Sequence, residues 1–327
     1  MSGVQTVEVA ADDDGTRLDR WVRRKFGGVS QGQIEKMLRT GQIRVDGKRA
    51  KSSTRLETGQ SVRVPPLPEV KSAPAAPRDA RLSAADRDFI RSLMIYRDDD
   101  IIAINKPSGI AVQGGTKINH HIDGLLDGLR FDAKERPKLV HRLDRDTSGV
   151  LVLARNAFSA AALAKAFRGR DVEKTYWAIV AGVPKPRRGE IDLALDKRGE
   201  AGHEKMAAGT GRRAITRYIV VENAGPDAAW LALYPETGRT HQLRVHCSAI
   251  GTPIVGDRKY GGVEAVPGGF PNADRLHLHA RGLTLVHPRK GMVTIEAEPP
   301  PFMSDTMKYF GFDPREGALV DRPDAKI

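Results

Sequence analysis

A run of prolines near the amino terminus constrains the fold of this chain more than any other feature. Residues 65–77 contain five prolines, and each proline fixes its own backbone angle and removes a hydrogen-bond donor. Such a segment is typical of a semi-rigid linker rather than of a helix or a central strand. We therefore predict a domain at residues 1–65, a linker at 66–93, a larger domain at 94–312 and a tail at 313–327.

Positive charge is concentrated in the first of these domains. The chain of 327 residues carries a formal net charge of +12. Residues 16–65 hold thirteen Lys or Arg against four Asp or Glu, so they account for +9 of that total. A basic surface of this kind attracts polyanions, although charge alone does not distinguish nucleic acid from an anionic membrane surface. The predicted partner of the first domain is therefore a polyanion.

Cysteine and apolar content exclude several classes of protein. Cys247 is the only cysteine, which rules out an internal disulfide framework and a cysteine-rich zinc site. The first 15 residues are polar and acidic, unlike a secretory signal. No apolar run approaches the roughly 20 residues of a membrane span. These features predict a cytoplasmic protein that does not associate with a membrane.

The first domain has the pattern of two helices followed by short strands. Apolar residues recur at helical spacing in two segments whose other positions are largely basic or polar. Ser30 with Gln33 predicts a capped start for the second helix, and Gly41 predicts its end. The pair Asp46 and Gly47 predicts a tight turn between two strands. The pattern favours a small α/β domain.

The second domain alternates short apolar segments with few helices. Its strand candidates are residues 101–104, 150–153, 176–180, 214–221 and 230–234. The clearest helix is predicted at residues 157–167. Because strands outnumber helices and many connections are short, we predict the α+β class, with a mixed, largely antiparallel sheet flanked by helices. A doubly wound parallel sheet is disfavoured.

The turn HRLDRDTSG at residues 141–149 is the strongest candidate for a reaction centre. It carries two carboxylates and two guanidiniums to the start of an apolar strand, where burial and neighbouring charges tune an acid. A solvated surface turn is a simpler explanation of such a composition. The rest of the sequence must decide between the two explanations.

The first domain resembles the small RNA-binding domain of ribosomal protein S-four, which several RNA-modifying enzymes share. The resemblance covers residues 16–65 and depends on the segments SQGQIEKML at 30–38 and GQIRVDGK at 41–48. It implies a helix pair that contacts RNA phosphates, and such contacts add affinity with little sequence information. The side chains expected to make these contacts are Arg20, Arg24, Lys36, Arg39 and Lys48.

The second domain resembles the pseudouridine synthases that modify large-subunit ribosomal RNA. The resemblance runs over residues 94–310 and depends on INKPSG at 104–109, HRLDRDTSG at 141–149 and TGRTHQLRVH at 237–246. A KTYW segment at 174–177 adds to it. Within the family, the second motif is most similar to that of synthase C, with synthase D as the alternative.

This resemblance implies the pseudouridine synthase fold and the isomerisation of uridine to pseudouridine in 23S ribosomal RNA. Free RNA and precursor 50S particles are both implied as partners. The reaction requires no redox cofactor, metal or ATP, and the protein is expected to be a monomer. The target base must leave its stack before any group can reach the glycosidic bond, which is why basic and aromatic side chains should surround the site.

The family's roles can be carried over to individual residues. Asp144 is the implied catalytic carboxylate, which starts cleavage of the glycosidic bond of uridine. Tyr176 is implied to stack on the base and to assist proton transfer. Arg239 is implied to pair with Asp144 and to keep it ionised and aimed. The residues implied to contact the nucleotide or the RNA backbone are Arg142, His141, Lys106 and Lys174.

Other functions fit parts of the sequence. DRDT at residues 144–147 satisfies the nucleophile motif of haloacid-dehalogenase-like phosphatases, which would use Asp144 and Asp146 and recruit Asp257 to bind magnesium. That motif should end a hydrophobic strand, whereas two polar side chains interrupt residues 139–143. The same isomerisation on another structured RNA is an alternative. So is an RNA-binding factor that has lost turnover.

Five histidines in the second domain raise the question of a metal site. They are His241, His246, His277, His279 and His287. Apart from Cys247 beside His246 they lack neighbouring cysteines, and they alternate along apparent strands, which favours structural or RNA-contact roles. The same strand assignment points Cys247 and His246 to opposite faces, so we predict that Cys247 is a buried thiol rather than a nucleophile.

Overall fold

The structure is a computed structural model, and the chain divides into two compact units, residues 1–81 and 82–327. The residues that it describes are 3–27, 29, 31–67, 82–114, 120–169, 171–198, 205–266 and 268–319. The predicted cap at Ser30, most of the proline-rich segment and the last eight residues of the predicted tail lie outside this part of the chain. In the described part, no helix is both long and apolar enough to cross a membrane.

In the first unit, a helix pair and a four-stranded sheet share one core. The elements are β1 (Gln5–Glu8), α1 (Leu18–Phe26), α2 (Gln31–Arg39), β2 (Arg44–Val45), β3 (Lys48–Arg49) and β4 (Ser61–Val64). The strand order is β1-β4-β2-β3, and all neighbours are antiparallel. The predicted helix pair and turn are confirmed. Strand β1 was missed, because its four residues show no clear alternation and none of their side chains is fully buried.

The sequence of the first unit separates its apolar and basic side chains cleanly. Trp21 and Val22 of α1 are fully buried. Of the thirteen Lys and Arg side chains in residues 16–65, twelve are exposed and Arg17 is half-buried. Gly41 has a φ of +71°, two residues after α2 ends. That left-handed conformation, which glycine adopts readily, stops the helix as predicted.

The second unit is built on one large mixed sheet. Its strands are β5 (Met94–Arg97), β6 (Ile101–Lys106), β7 (Lys138–Leu139), β8 (Ser148–Ala154), β9 (Glu173–Ala181), β10 (Arg188–Arg198), β11 (Lys205–Ala208), β12 (Arg212–Ala224), β13 (Ala228–Pro235), β14 (Leu278–Val286) and β15 (Met292–Glu296). Its helices are α3 (Ala84–Ser92), α4 (Ile122–Leu125), α5 (Ala157–Arg168), α6 (Gln242–Ala249), α7 (Pro301–Phe310) and α8 (Glu316–Leu319).

The strand order is β11-β10-β12-β13-β9-β14-β8-β6-β5, with β15 beside β14 and β7 beside β8. The pairing of β14 with β8 is parallel, and the other pairings are antiparallel. This is the mixed, largely antiparallel α+β sheet that we predicted. All residues of β8 and β13 are buried. Each has strands on both sides, and both faces of the sheet are covered there.

Five predicted strands and the predicted helix at 157–167 are present, each somewhat longer than predicted. The linker prediction was wrong at its carboxyl end. Residues 84–92 form α3, and Ile90 of that helix is fully buried in a core cluster of the second unit. The side chain of Ser83 caps the helix by accepting a hydrogen bond from the backbone of Asp86 at 3.0 Å.

The third motif was assigned the wrong secondary structure. Residues 242–249 form the helix α6 rather than a strand. Leu243 and Cys247 are four residues apart, so they lie on one helix face and pack into the same cluster against the sheet. The argument that adjacent residues alternate between faces therefore fails for His246 and Cys247. The prediction of a buried thiol is nevertheless confirmed, and burial raises the pKa of Cys247 to about 12.

Candidate active site

A cavity of about 360 Å³ lies where the second motif, strand β9 and the third motif meet. Among the described residues that line it, the only carboxylate is that of Asp144, whereas five side chains are Arg or Lys. These basic side chains are Arg142, Arg168, Lys174, Arg239 and Arg244. Tyr176, His141 and His241 also line the wall. Five cations around one carboxylate favour the binding of an anionic ligand. The reacting group of such a ligand would then lie beside the carboxylate.

Asp144 lies in the turn that joins β7 to β8, and its side chain is 22% exposed. The first motif fastens this turn from the other side. The hydroxyl of Ser108 donates to the carbonyl of Asp146 at 2.7 Å, and the backbone N–H of Gly109 donates to the carbonyl of Arg145 at 3.0 Å. The first motif therefore positions the turn that carries the carboxylate.

The glycine that ends the second motif permits close contact between two strands. Gly149 has a φ of +112°, a conformation that is strained for other residues. A Cβ atom there would lie 2.2 Å from the carbonyl oxygen of Ala280 on β14. The parallel pairing of β8 with β14 therefore depends on this glycine, and the pairing fixes where the turn that carries Asp144 ends.

Lys106 does not lie where it could make the contact with RNA that we predicted. Its side chain is fully buried and its ammonium donates to the carbonyls of Pro107, Ile110 and Arg145 at 2.8, 2.9 and 2.9 Å. Burial lowers the pKa of Lys106 to about 8, against the opposing effect of the carboxylates of Asp146 and Asp144. An ammonium enclosed by three carbonyls braces the turn and is not available to an RNA backbone.

His141 lies in the cavity wall with its hydrogen-bonding groups turned inward. The backbone N–H of Val152 donates to its Nε2 at 2.8 Å, and its ring stacks on Phe167 with centroids 4.2 Å apart. Burial, and then the charge of Lys174, lower the pKa of His141 to about 3. The ring is therefore neutral and its hydrogen bond braces the turn, while the contact with RNA stays a prediction.

Tyr176 and Lys174 both lie on β9, whereas the predicted strand began only at Tyr176. Burial, and then the charge of Asp144, raise the pKa of Tyr176, so the phenol keeps its proton at neutral pH. A protonated phenol acts as a hydrogen-bond donor or a stacking surface rather than as a base. Arg142 is exposed and Lys174 is half-buried where they line the cavity.

Arg239 and Asp144 are both among the described residues, but they do not form the predicted ion pair. Arg239 is exposed, and its Nε reaches the carbonyl of Arg213 at 3.4 Å. Its backbone N–H donates to Oε1 of Gln242 at 3.0 Å. Arg239 therefore shares the cavity with Asp144 but does not hold its carboxylate, which corrects the role that we assigned to it.

A different guanidinium, Arg244, occupies the buried side of the cavity. It is 8% exposed and donates from Nε and Nη2 to the two oxygens of Asp257, at 2.7 Å each. Burial alone would lower the pKa of Arg244, but the carboxylate of Asp257, with help from Asp144, raises it. We missed this residue because the strand assignment gave no reason to place it in the site; helical periodicity in the third motif would have done so.

Gln242 holds the loop before α6 in place, and both the oxygen and the nitrogen of its side-chain amide make hydrogen bonds. Its Oε1 accepts from the hydroxyl of Thr237 at 2.7 Å, besides the N–H of Arg239. Its Nε2 donates to the carbonyl of Ile215 and the hydroxyl of Thr216, both at 2.9 Å. A buried amide with every donor and acceptor satisfied keeps this loop in one conformation.

In the first unit, the five predicted RNA contacts are all exposed. Arg24 forms an ion pair with Asp13, whose other oxygen accepts from the indole of Trp21 at 2.8 Å. The sequence analysis did not predict this ion pair. Arg24 is therefore partly neutralised, which makes it the weakest candidate of the five for binding a phosphate.

The phosphatase alternative does not fit the geometry. Its motif should follow a strand, but residues 144–147 lie immediately before β8. Asp257, the acid that it would recruit, is 1% exposed and bound to Arg244. Within the described residues, no group of three or more His, Cys, Asp or Glu side chains has the geometry of a metal site.

Comparison with known protein families places both units. Residues 100–249 match the family model described as RNA pseudouridylate synthase. Residues 16–62 match the model of the S4 domain.

Curated relatives extend over nearly the whole chain. The ribosomal large subunit pseudouridine synthase C of Rickettsia felis is 36% identical over 89% of this chain and 95% of its own length. The protein of the same name from Vibrio cholerae is 35% identical over 87% of this chain and 90% of its own length. Among solved structures, human RNA pseudouridylate synthase domain containing 4 is 30% identical with a TM-score of 0.59. It covers 69% of this chain and 97% of that protein.

Proposed function

This chain belongs to the family of RNA pseudouridylate synthases and is an isomerase, and we propose that it converts specific uridines of 23S ribosomal RNA to pseudouridine, with Asp144 as the catalytic carboxylate. The observation that carries the proposal is the composition of the cavity. The second motif, α5, β9 and the third motif, which are far apart in sequence, supply one acid and five cations to it.

The chemistry requires no net oxidation or reduction. The bond between N1 of uracil and C1′ of ribose breaks, the base turns, and C5 bonds to C1′ instead. C5 loses its proton to solvent while N1 gains one, so atoms and electrons balance. Asp144 is the group that starts this exchange, since a positioned carboxylate serves as a nucleophile or as a base.

The other cavity residues support the flipped nucleotide. Tyr176 offers an aromatic face for the uracil and a phenol that keeps its proton. Arg142, Lys174 and Arg239 are placed to bind the phosphates on either side of the flipped base. Arg244, held in place by Asp257, closes the buried side of the cavity.

The first unit supplies RNA affinity. It matches the S4 domain, and its exposed Arg20, Lys36, Arg39 and Lys48 are suited to phosphate contacts that carry little sequence information. We propose that the chain works in the cytoplasm as a monomer and that its substrate is 23S RNA, free or in precursor 50S particles. The names of its curated relatives support the large-subunit RNA as the substrate.

The test is a map of pseudouridine on three RNA substrates: transcribed 23S RNA, purified precursor 50S particles and bulk transfer RNA. Each is treated in EDTA with the wild-type protein or with Asp144→Asn. New pseudouridines in 23S RNA with the wild type, and none with the variant, are the expected result. Modification of transfer RNA alone would replace the proposed substrate by another structured RNA. No modification of any of the three would overturn the proposal.

A further inference from the structure

His241 forms a chain of contacts with Tyr260 and Asp144 that neither the sequence nor the family comparison assigns. Nδ1 of His241 lies 2.6 Å from the hydroxyl oxygen of Tyr260. On the other side of the ring, Nε2 lies 3.9 Å from Oδ2 of Asp144. Both side chains of this second contact are about one-fifth exposed. The imidazole therefore bridges the half-buried phenol of Tyr260 and the carboxylate proposed to start the reaction.

The contacts of Tyr260 bear on which nitrogen of His241 carries the proton. The backbone N–H of Met206 donates to the oxygen of Tyr260 at 3.3 Å. Nδ1 of His241 lies at hydrogen-bond distance from the same oxygen, and we assign the hydroxyl as the donor to it. Burial raises the pKa of Tyr260, so the phenol keeps that hydrogen. Nδ1 is then an acceptor, and a neutral imidazole must carry its hydrogen on Nε2, which faces Asp144.

The groups around His241 favour the neutral ring. Burial lowers the pKa of His241, with the cations of Arg244 and Lys259 acting in the same direction and the carboxylates of Asp144 and Asp257 opposing them. A neutral ring with a fixed tautomer donates one hydrogen bond in one direction. The contact of 3.9 Å is longer than a hydrogen bond, as is common in unliganded sites, where catalytic contacts shorten only when substrate binds.

The backbone conformation at His241 is an unusual one. The residue precedes α6 in the left-handed conformation, with φ +55° and ψ +20°. Few residues other than glycine adopt it, and asparagine, aspartate and histidine are the most tolerant. This conformation is maintained beside the loop that Gln242 fixes, so the ring is presented to the cavity from a rigid support.

From this geometry we infer that His241 is a positioning residue: its Nε2–H, fixed by the hydroxyl of Tyr260, holds Oδ2 of Asp144 so that the other carboxylate oxygen is presented to the uridine. The inference deepens the proposed function, because it assumes that Asp144 acts on a nucleotide in this cavity. The contact between imidazole and carboxylate, however, is a property of the protein alone.

The kinetic test compares two amides at position 241 in the full chain. The nitrogen of a glutamine side chain reaches the place of Nε2 and donates a hydrogen bond there, whereas asparagine reaches only the place of Nδ1. Asparagine is the better residue for the left-handed backbone. A purely structural role therefore predicts that His241→Asn is at least as active as His241→Gln, and a positioning role predicts the reverse.

Activity is measured as tritium release from 23S RNA labelled at C5 of uridine, in single turnover at saturating RNA. The expected result is a loss of about 10- to 100-fold for His241→Asn, with much of the rate retained by His241→Gln and RNA affinity unchanged in both. Equal rates for the two variants, or a faster Asn variant, would overturn the inference. If neither variant folds, Tyr260→Phe tests the same chain, with a several-fold loss expected and an unchanged rate counting against it.

An NMR arm does not depend on activity. Nitrogen-15 shifts of labelled histidine distinguish the two tautomers, and a pH titration gives the pKa of His241 in the wild type and in Asp144→Asn. We expect the Nε2–H tautomer, and a further fall in the pKa of His241 when the carboxylate is removed. An Nδ1–H tautomer or an unmoved pKa would refute the positioning role. Because this arm needs no RNA, its outcome stands even if the proposed substrate is wrong.

Discussion

The two units of this chain differ in where they place their Lys and Arg side chains. In the first unit, twelve of the thirteen Lys and Arg side chains of residues 16–65 are exposed around a small apolar core. In the second unit, a lysine, an arginine and two aspartates are among the buried side chains, namely Lys106, Arg244, Asp100 and Asp257. Exposed charge attracts a polyanion over a distance, whereas buried charge fixes the position of neighbouring groups.

This difference implies that equivalent substitutions have unequal costs. Removing an exposed cation should weaken RNA binding and leave stability intact. Removing a buried cation leaves its carboxylate or carbonyl partners unpaired, so it should lower stability first and activity with it.

The largest effect on stability is expected at the buried ion pair. Arg244→Met leaves the carboxylate of Asp257 buried without its ionic partner, with only the backbone N–H of Tyr260 donating to it at 3.3 Å, which costs about 3–5 kcal/mol of the free energy of unfolding. Denaturant unfolding measures this loss. The matched control is Arg20→Met in the first unit, where the side chain is exposed and a change below about 0.5 kcal/mol is expected. Equal losses of stability at Arg244 and Arg20 would show that the burial of a cation does not determine how much it contributes to stability.

Lys106→Met distinguishes the two explanations of Lys106, because they predict different defects. With the ammonium gone, the carbonyls of Pro107, Ile110 and Arg145 lose their donor, at a cost of about 3 kcal/mol. The turn that carries Asp144 is then less firmly held, so the single-turnover rate falls too. Lys48→Met in the first unit serves as the control. Unchanged stability with weakened RNA binding would restore the RNA contact that the sequence predicted.

Acidification should destabilise the second unit selectively. Burial lowers the pKa of four histidines in that unit to about 3 or 4. They are His141, His246, His277 and His279. The unfolded chain takes up these protons near pH 6.5, so the stability that the neutral rings provide is complete above that pH. It is lost as the pH falls towards 4, by about 1.4 kcal/mol per pH unit for each histidine.

The first unit contains no histidine, so it lacks this source of acid sensitivity. Hydrogen exchange at pH 7 and pH 5, corrected for the intrinsic rate, measures both units in one sample. We expect protection to fall in the second unit and to persist in the first. Equal retention of protection in both would contradict the assignment of neutral, buried histidines.

The smallest effect in free energy is expected from the exposed cations. Four substitutions to glutamine, at Arg20, Lys36, Arg39 and Lys48, should make the plot of log affinity against log salt less steep. The slope should change by about one for each phosphate that the protein no longer neutralises. Affinity for 23S RNA should fall, while the single-turnover rate at saturating RNA stays the same.

A control for net charge comes from the second unit. Its four substitutions to glutamine are at the exposed residues Lys134, Lys185, Arg188 and Lys308. Both variants lose four positive charges, but only the first set lies where RNA contacts are proposed. If the two variants bind RNA with the same salt slope, binding depends on total charge and the first unit has no special role.

Much of the architecture could be predicted from the sequence because it depends on local patterns. The helix pair, the central strands and α5 follow from the periodicity of apolar residues. The α+β class follows from the ratio of strands to helices. Helix α6 was mistaken for a strand, since LRVHC alternates over a few residues while its packing depends on Leu243 and Cys247 four residues apart.

The motifs identified the region of the site but not the roles of single residues within it. Asp144, Tyr176 and Lys174 lie in the cavity as predicted from the motifs. Lys106 and Arg239 do not make the predicted contacts, because burial and hydrogen-bond partners are three-dimensional properties that spacing does not encode. Arg244 and His241 were not assigned to the site from the sequence, because the sequence does not show that the loop and helix of the third motif face Asp144.

The decisive experiment separates binding from chemistry at Asp144. Binding of one 23S RNA fragment and single-turnover release of tritium from it are measured with the wild type and with Asp144→Asn. Because asparagine keeps the size of the side chain and removes its charge and basicity, we expect affinity similar to that of the wild type and no detectable pseudouridine. Pseudouridine formation by Asp144→Asn at a rate near that of the wild type would contradict the assignment of Asp144 as the catalytic carboxylate.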